Sequence, residues 1–313
     1  MAREGRAMRR AAMAWVVAGA LVAAPASAET VRVAGVYAAN AREASLLPTI
    51  GVDLLGGPAG EALGEAIERK LARLGGDGVR HARLVAPTLR PDGLLSGQAG
   101  FSASDYPYVE TRDRCVEKDA KGKCTRRERY RVRCIRRTVD FHADLRMVRW
   151  RDGRTVYAAP KTRNDSDWWC EDSGFPTSVD TSVQMMVESV AQEVRMDLAP
   201  HAEDYTIRVK EDRNGLSPDD ADRFRAAVRL TKRDQAAACA AFAALGQSAP
   251  DHGPTLFNRA LCAEAAGRYA EANDLYTRAR VFGPQYGGDI SRGLARVASL
   301  AAGAEDERQM AAL

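Results

Sequence analysis

Two kinds of chemistry are concentrated in one stretch of this chain, cationic charge and sulfur. Between residues 112 and 137 stand Arg112, Arg114, Lys118, Lys121, Lys123, Arg126, Arg127, Arg129, Arg131, Arg133, Arg136 and Arg137. They are opposed by Asp113, Glu117, Asp119 and Glu128, which leaves a local charge of about +8 in a 313-residue chain whose whole formal charge is +4. Such density concentrates counterions and suits an anionic surface such as phospholipid headgroups, lipopolysaccharide or an acidic protein. Arg126, Arg127, Arg129, Arg131 and Arg133 are the candidate contacts. The competing reading is a solvated hairpin whose charges discourage edge pairing.

The six cysteines are 115, 124, 134, 170, 239 and 262. An even number in an exported chain favours disulfides over metal thiolates, and six allow fifteen pairings. Cys115 and Cys124 are placed to face each other across the basic hairpin, which leaves Cys134 for Cys170.

The remaining chemical candidates are weaker. Asp165, Asp167, Glu171 and Asp172 crowd near Trp168 and Trp169 but lack the ligand spacing of a calcium loop, so a surface turn is expected. Gly56-Gly57-Pro58-Ala59-Gly60 has neither G-x-G-x-x-G nor a G-K-[ST] ending and reads as a helix start. His81, His142, His201 and His252 share no ligand spacing, and no nucleophile or metal motif occurs. The sequence therefore predicts a non-enzyme with no cofactor, no metal site and no catalytic residue. A hydrolase assembled from the two long loops, 38–57 and 87–107, is an alternative.

The N-terminus sets the compartment. Arg3, Arg6, Arg9 and Arg10 precede an apolar run from Ala11 to Ala24 that ends in Ala26-Ser27-Ala28, the pattern of a secretory signal peptide over 1–28. The leader holds most of the positive charge, leaving the mature chain near +1. No later stretch is apolar enough to span a membrane. A periplasmic or secreted protein is expected, with no nucleic-acid partner.

The elements that position these residues follow from periodicity. Thr30–Tyr37 alternates as a strand, and Ala59, Leu63, Ile67, Leu71 and Leu74 recur at helical spacing until Gly75-Gly76. His81–Ala86 reads as a second strand, and 38–57 and 87–107 as loops. Tyr108–Cys115 and Cys124–Arg136 form a hairpin. Val139, Phe141, Ala143, Leu145 and Met147 give the next strand one buried face. Asp152-Gly153 turns the chain into Thr155–Lys161. Val179, Val183, Met186, Val187, Val190, Val194 and Leu198 mark a long helix, and Tyr205–Lys210 would close the sheet. The fold class is α+β: a mixed sheet with two long helices over 29–210, then an all-helical part over 217–302, with a frayed tail at 303–313.

The helical part carries an internal repeat. A shift of 34 residues pairs Arg259 with Arg225, Ala260 with Ala226, Ala272 with Ala238, Tyr276 with Phe242, and Pro284 with Pro250. With small residues at the helix contact, an aromatic on the second helix and a closing proline, it resembles the tetratricopeptide family. That resemblance implies two repeats, a capping helix and a groove for a partner protein, lined by Arg223, Phe257, Leu261 and Glu264. With Phe257, Leu261 and Ala265 inside, the groove lacks a carboxylate clamp; packing on the first domain is the alternative. It also implies that Cys239 and Cys262, on neighbouring helices, can bond, closing a loop worth about 3 kcal/mol; buried free thiols are the alternative. The element order from Val31 to Val209, with the hairpin LRMVRWRDGRTVYAA, resembles the N-terminal domain of TolB and the curli-secretion lipoproteins, which implies an accessory or assembly protein of the cell envelope. The function expected is a protein-interaction scaffold of the envelope with unidentified envelope partners, the alternative being adhesion of the basic hairpin to an anionic surface.

Overall fold

The computed structural model describes residues 29–311, and the predicted leader lies outside them. In chain order the elements are β1 (Thr30–Tyr37), α1 (Arg42–Ser45), β2 (Ile50–Val52), α2 (Gly60–Leu71), β3 (Gly93–Lys118), β4 (Cys124–Arg149), β5 (Thr155–Cys170), α3 (Val179–Leu198), β6 (His201–Arg208), α4 (Pro218–Leu230), α5 (Gln235–Ser248), α6 (Gly253–Ala265), α7 (Tyr269–Phe282) and α8 (Gly287–Ala311). The fold class is α+β, with a mixed sheet followed by a helical region.

The strand alternation read at Val139–Met147 organises the first core. β4 pairs antiparallel with β3 on one side and β5 on the other, and β2 adds to β3 in parallel. Phe141, Ala143, Leu145 and Met147 are buried against α2 and α3, while Asp140, His142, Asp144 and Arg146 face solvent, as period-2 geometry requires. Ser178 caps α3 by accepting from the Thr181 amide at 3.1 Å. A polar set, buried except for Glu193, pins α3 to β5: Lys161 Nζ lies 2.7 Å from both Asp197 Oδ2 and Glu193 Oε1, and Tyr157 donates to Asp197 at 2.9 Å.

The structure corrects several of these expectations. The stretch 87–107, read as a loop, is mostly the first half of β3. Its glycines sit where the neighbouring chain approaches: a Cβ on Gly97 would lie 2.1 Å from the Asp144 carbonyl oxygen, and one on Gly100 2.9 Å from the His142 ring. Glycine inside a strand often marks such an approach. The stretch 81–86 contributes only a bridge from Leu84 to Ile50, and the parallel strand is Ile50–Val52, inside the stretch 38–57 read as a loop. The final strand does not close the sheet. β6 pairs with β1 in a separate antiparallel ribbon, from Thr30 opposite Arg208 to Tyr37 opposite His201.

That ribbon belongs to a second core. Val31 and Val33 pack with Phe224, Phe242, Phe257, Leu261, Tyr276 and Leu300, so β1 lies against the helices rather than the large sheet. Gln235 holds the ribbon from the helical side, accepting from the Arg32 amide at 2.8 Å and donating to the Arg32 carbonyl at 3.1 Å. The chain from Gly303 to Ala311 does not fray. α8 continues helical to Ala311, Gly303 fits against the Val36 backbone where a Cβ would lie 2.1 Å from its oxygen, and buried Asp306 pairs with Arg42.

Candidate functional site: a cystine-braced basic arm

The large sheet narrows at Cys134. β5 ends where Cys170 stands opposite Cys134, and beyond that point β3 and β4 continue as a two-stranded arm. Cys124–Arg133 alone extends about 33 Å at ~3.3 Å per residue. An isolated hairpin of this kind is marginal in water, and two cystines brace this one. Cys115–Cys124 closes the tip and Cys134–Cys170 ties the base to β5. A third bond, Cys239–Cys262, joins α5 to α6, so all six cysteines are paired. At the tip Asp119 accepts from the Lys121 and Lys123 amides at 2.9 and 2.8 Å, and Gly122 takes the left-handed backbone (φ 79°) that the turn needs.

One face of the arm is spent on holding it together. Val132, Cys134 and Cys170 are buried beneath Tyr108 and Tyr130. Arg112 bridges Glu110 and Asp172, each at 2.7 Å, and donates to Cys170 Sγ at 3.0 Å. Those two carboxylates keep its guanidinium more firmly protonated than usual, with the bond to Glu110 the larger cause among the favourable ones and desolvation opposing it. Tyr130 donates to Asp172 at 2.5 Å, which raises its own pKa.

The other face carries the charge. In register, Arg127, Arg129, Arg131 and Arg133 stand opposite Cys115, Asp113, Thr111 and Val109, so the four arginines form a row about 20 Å long. All four are exposed. Arg129 has a loose pairing with Asp113 at 3.8 Å. Arg127, Arg131 and Arg133 make no ion pair among the described residues. Arg126 points to the opposite face and meets Glu117 at 3.1 Å. Of the five arginines singled out in the sequence, four share this face and Arg126 lies on the other, because side chains alternate along a strand.

At the base of the row the same face turns apolar. Pro107, Val109, Ile135 and Trp169 line a cleft of about 380 Å³ together with Arg133 and Glu171, whose backbones pair at 3.0 Å. Arg137 lies over the Trp169 ring at 5.0 Å and is held by Asp105 at 2.7 Å; that bond also keeps the Asp105 carboxyl below its ordinary range. Sequence reasoning missed this cleft. Its signal was the apolar residue recurring at i+2 after the arginines, Ile135, but its partners Val109 and Trp169 come from two other strands.

The remaining candidates lie elsewhere. The groove residues do not form an open surface: Phe257, Leu261 and Glu264 are buried under β1 and α8, and only Arg223 is exposed, 3.8 Å from Asp220. The groove reading is thus corrected, because the chain fills that face with its own ribbon and last helix. The acidic residues near the tryptophans act separately. Asp165 accepts from Ser182 at 2.6 Å, Asp167 from the Thr177 and Trp168 amides at 2.8 Å, and Asp172 belongs to the arm. Glu110, Cys134 and Cys170 come close enough for a metal, yet their sulfurs are joined to each other and a cystine offers no thiolate. His81 bonds Asp77 at 2.9 Å, and His252 caps α6.

No family model matches the chain, and no curated protein matches it. Two solved structures of PelC dodecamers from Paraburkholderia phytofirmans align with about half of it. One, a leucine-to-methionine variant, is 15% identical with a TM-score of 0.23 and covers 53% of this chain and 95% of its own. The other is 14% identical with a TM-score of 0.22 and covers 52% and 95%. Likeness of that size carries no functional conclusion. Among the described residues no helix is long and apolar enough to cross a membrane, and three cystines are compatible with an oxidising, extracytoplasmic compartment.

Proposed function

We propose that this is a non-catalytic protein of the periplasm or cell exterior that holds an anionic partner on its projecting arm. The observation that carries the reading is the row Arg127, Arg129, Arg131 and Arg133 on one face of a cystine-braced ribbon, three of them without an acidic partner among the described residues. Arginines left unpaired on a stiff support keep their charge for an incoming anion and lose little entropy on meeting it. The alternative of a repeat groove gripping a partner is less favoured, since three of its four residues are buried. The large sheet, backed by α2 and α3, then serves as the rigid base from which the arm projects.

The test is binding of the purified protein to a polyanion as salt is raised. Affinity for dextran sulfate should fall steeply between low and physiological ionic strength, where screening shortens to about 8 Å. Binding that is indifferent to salt, or equal in a variant with Arg127, Arg131 and Arg133 changed to serine, refutes the proposal.

A further inference from the structure

The charged row and the apolar cleft at its foot are one continuous surface. Val109 stands directly opposite Arg133 in the strand register, and Ile135 follows Arg133 on the same face. Trp169 lies opposite Ile135 on the next strand. The transition from cation to hydrocarbon therefore happens within one residue step, about 7 Å. Val109 is 50% exposed directly opposite Arg133. An apolar cleft left in water beside a row of unpaired cations suits a ligand that covers both.

We infer that the arm recognises an anionic phospholipid, with the headgroup phosphate on Arg131 and Arg133 and the first carbons of an acyl chain in the cleft formed by Pro107, Val109, Ile135 and Trp169. This rests on the reading of the arm as an anion-binding surface and names the chemistry of its partner. Charge complementarity selects an anion, and the cleft selects one with a hydrocarbon portion within a few ångströms of its charge. A hydrophilic polyanion satisfies the first requirement only. The volume of about 380 Å³ falls in the range of small-ligand sites, and an indole at the boundary between charge and hydrocarbon suits a membrane interface. Glu171 is the one acid in the lining; its amide donates to the Arg133 carbonyl at 3.0 Å, so it stands beside the foot of the row without forming an ion pair with Arg133 among the described residues, and Arg131 lies one step further along the arm.

The experiment compares the purified protein with the double variant Val109→Gln/Ile135→Gln, which leaves every charge in place. Each is titrated with phosphatidylcholine–phosphatidylglycerol vesicles and, separately, with dextran sulfate. Equal melting temperatures and absence of free thiols in both proteins establish that the arm is intact. The inference expects vesicle affinity to fall about tenfold or more in the variant, the effect of losing partial burial of two aliphatic side chains, with dextran sulfate binding unchanged. Equal vesicle binding by the two proteins overturns it. So does wild-type binding to dextran sulfate without binding to vesicles, which assigns the arm to a hydrophilic polyanion and leaves the broader proposal standing. Failure to bind either ligand sinks both.

Discussion

Replacing Glu264 by glutamine tests whether the helical region is a groove or a core. Glu264 Oε1 accepts from Arg296 Nε at 2.8 Å, and Oε2 accepts from Arg296 Nη2 at 2.9 Å and from the Tyr276 hydroxyl at 2.7 Å. The carboxylate is fully buried and the arginine 18% exposed. A bidentate pair of this kind is among the stronger charge-assisted contacts, but its worth shows mainly when it is broken. Glu264→Gln keeps the shape and leaves the Arg296 charge buried without compensation, which costs about 3–5 kcal/mol. At roughly 2–4 °C per kcal/mol for a chain of this size, the melting temperature should fall by ~10 °C, followed by far-UV circular dichroism. The double variant Glu264→Leu/Arg296→Leu should recover most of the loss, because neither charge then remains to be solvated. A Glu264→Gln protein within ~0.5 kcal/mol of wild type, or a double variant as unstable as the two single losses added together, refutes the assignment of Glu264 to the core.

The other predictions concern the arm and acid stability. Changing Cys115 and Cys124 to serine releases a sequence separation of 9, worth about 2.7 kcal/mol on a chain-entropy model; amide exchange should quicken along Arg114–Arg131 while the core melts as before. Removing Arg127, Arg131 and Arg133 together should weaken binding to anionic vesicles about 100-fold, at ~1 kcal/mol per arginine near the surface, and a loss below threefold would contradict the role given to the row. Burial holds the His252 pKa below its ordinary value, with the Asp212 charge opposing. The unfolded chain therefore binds a proton first, so this contribution to stability is complete above pH ~6.5 and is lost as pH falls from there through the folded pKa. The melting temperature should drop between pH 7.5 and pH 5 by less in His252→Asn, which can still cap α6, than in wild type; identical profiles would remove His252 from the account. His201, also lowered by burial, should leave a residual slope in that variant.

Much of the framework was legible in residue order, and the reasons are local. The alternation of Val139 through Met147 and the heptad-like spacing of Val183, Val187, Val190 and Val194 each specify a buried face through a period that belongs to one element. The arm could be read from Asp119, Gly122 and two cysteines standing on either side of one turn. The first half of β3 was not legible, since Gly93, Gly97 and Gly100 carry turn chemistry in any local window. Only the strand beside them shows that they are there to let Met147, Asp144 and His142 come close.

The candidate site divides along the same line. Residue order alone determined the density of charge at 112–137, the cysteines that stiffen it and the apolar character of α6, because these are properties of composition and short spacing. Tertiary structure decided what stands opposite each arginine, since a one-residue change of register across the Cys115–Glu117 bulge would give the row other cross-strand neighbours. It also decided that Val109, Ile135 and Trp169, far apart in the chain, meet at the foot of that row. And it decided that Phe257, Leu261 and Glu264 are interior: an apolar helix face looks the same in sequence whether a partner or the chain itself covers it, and here β1, from the other end of the described chain, arrives first.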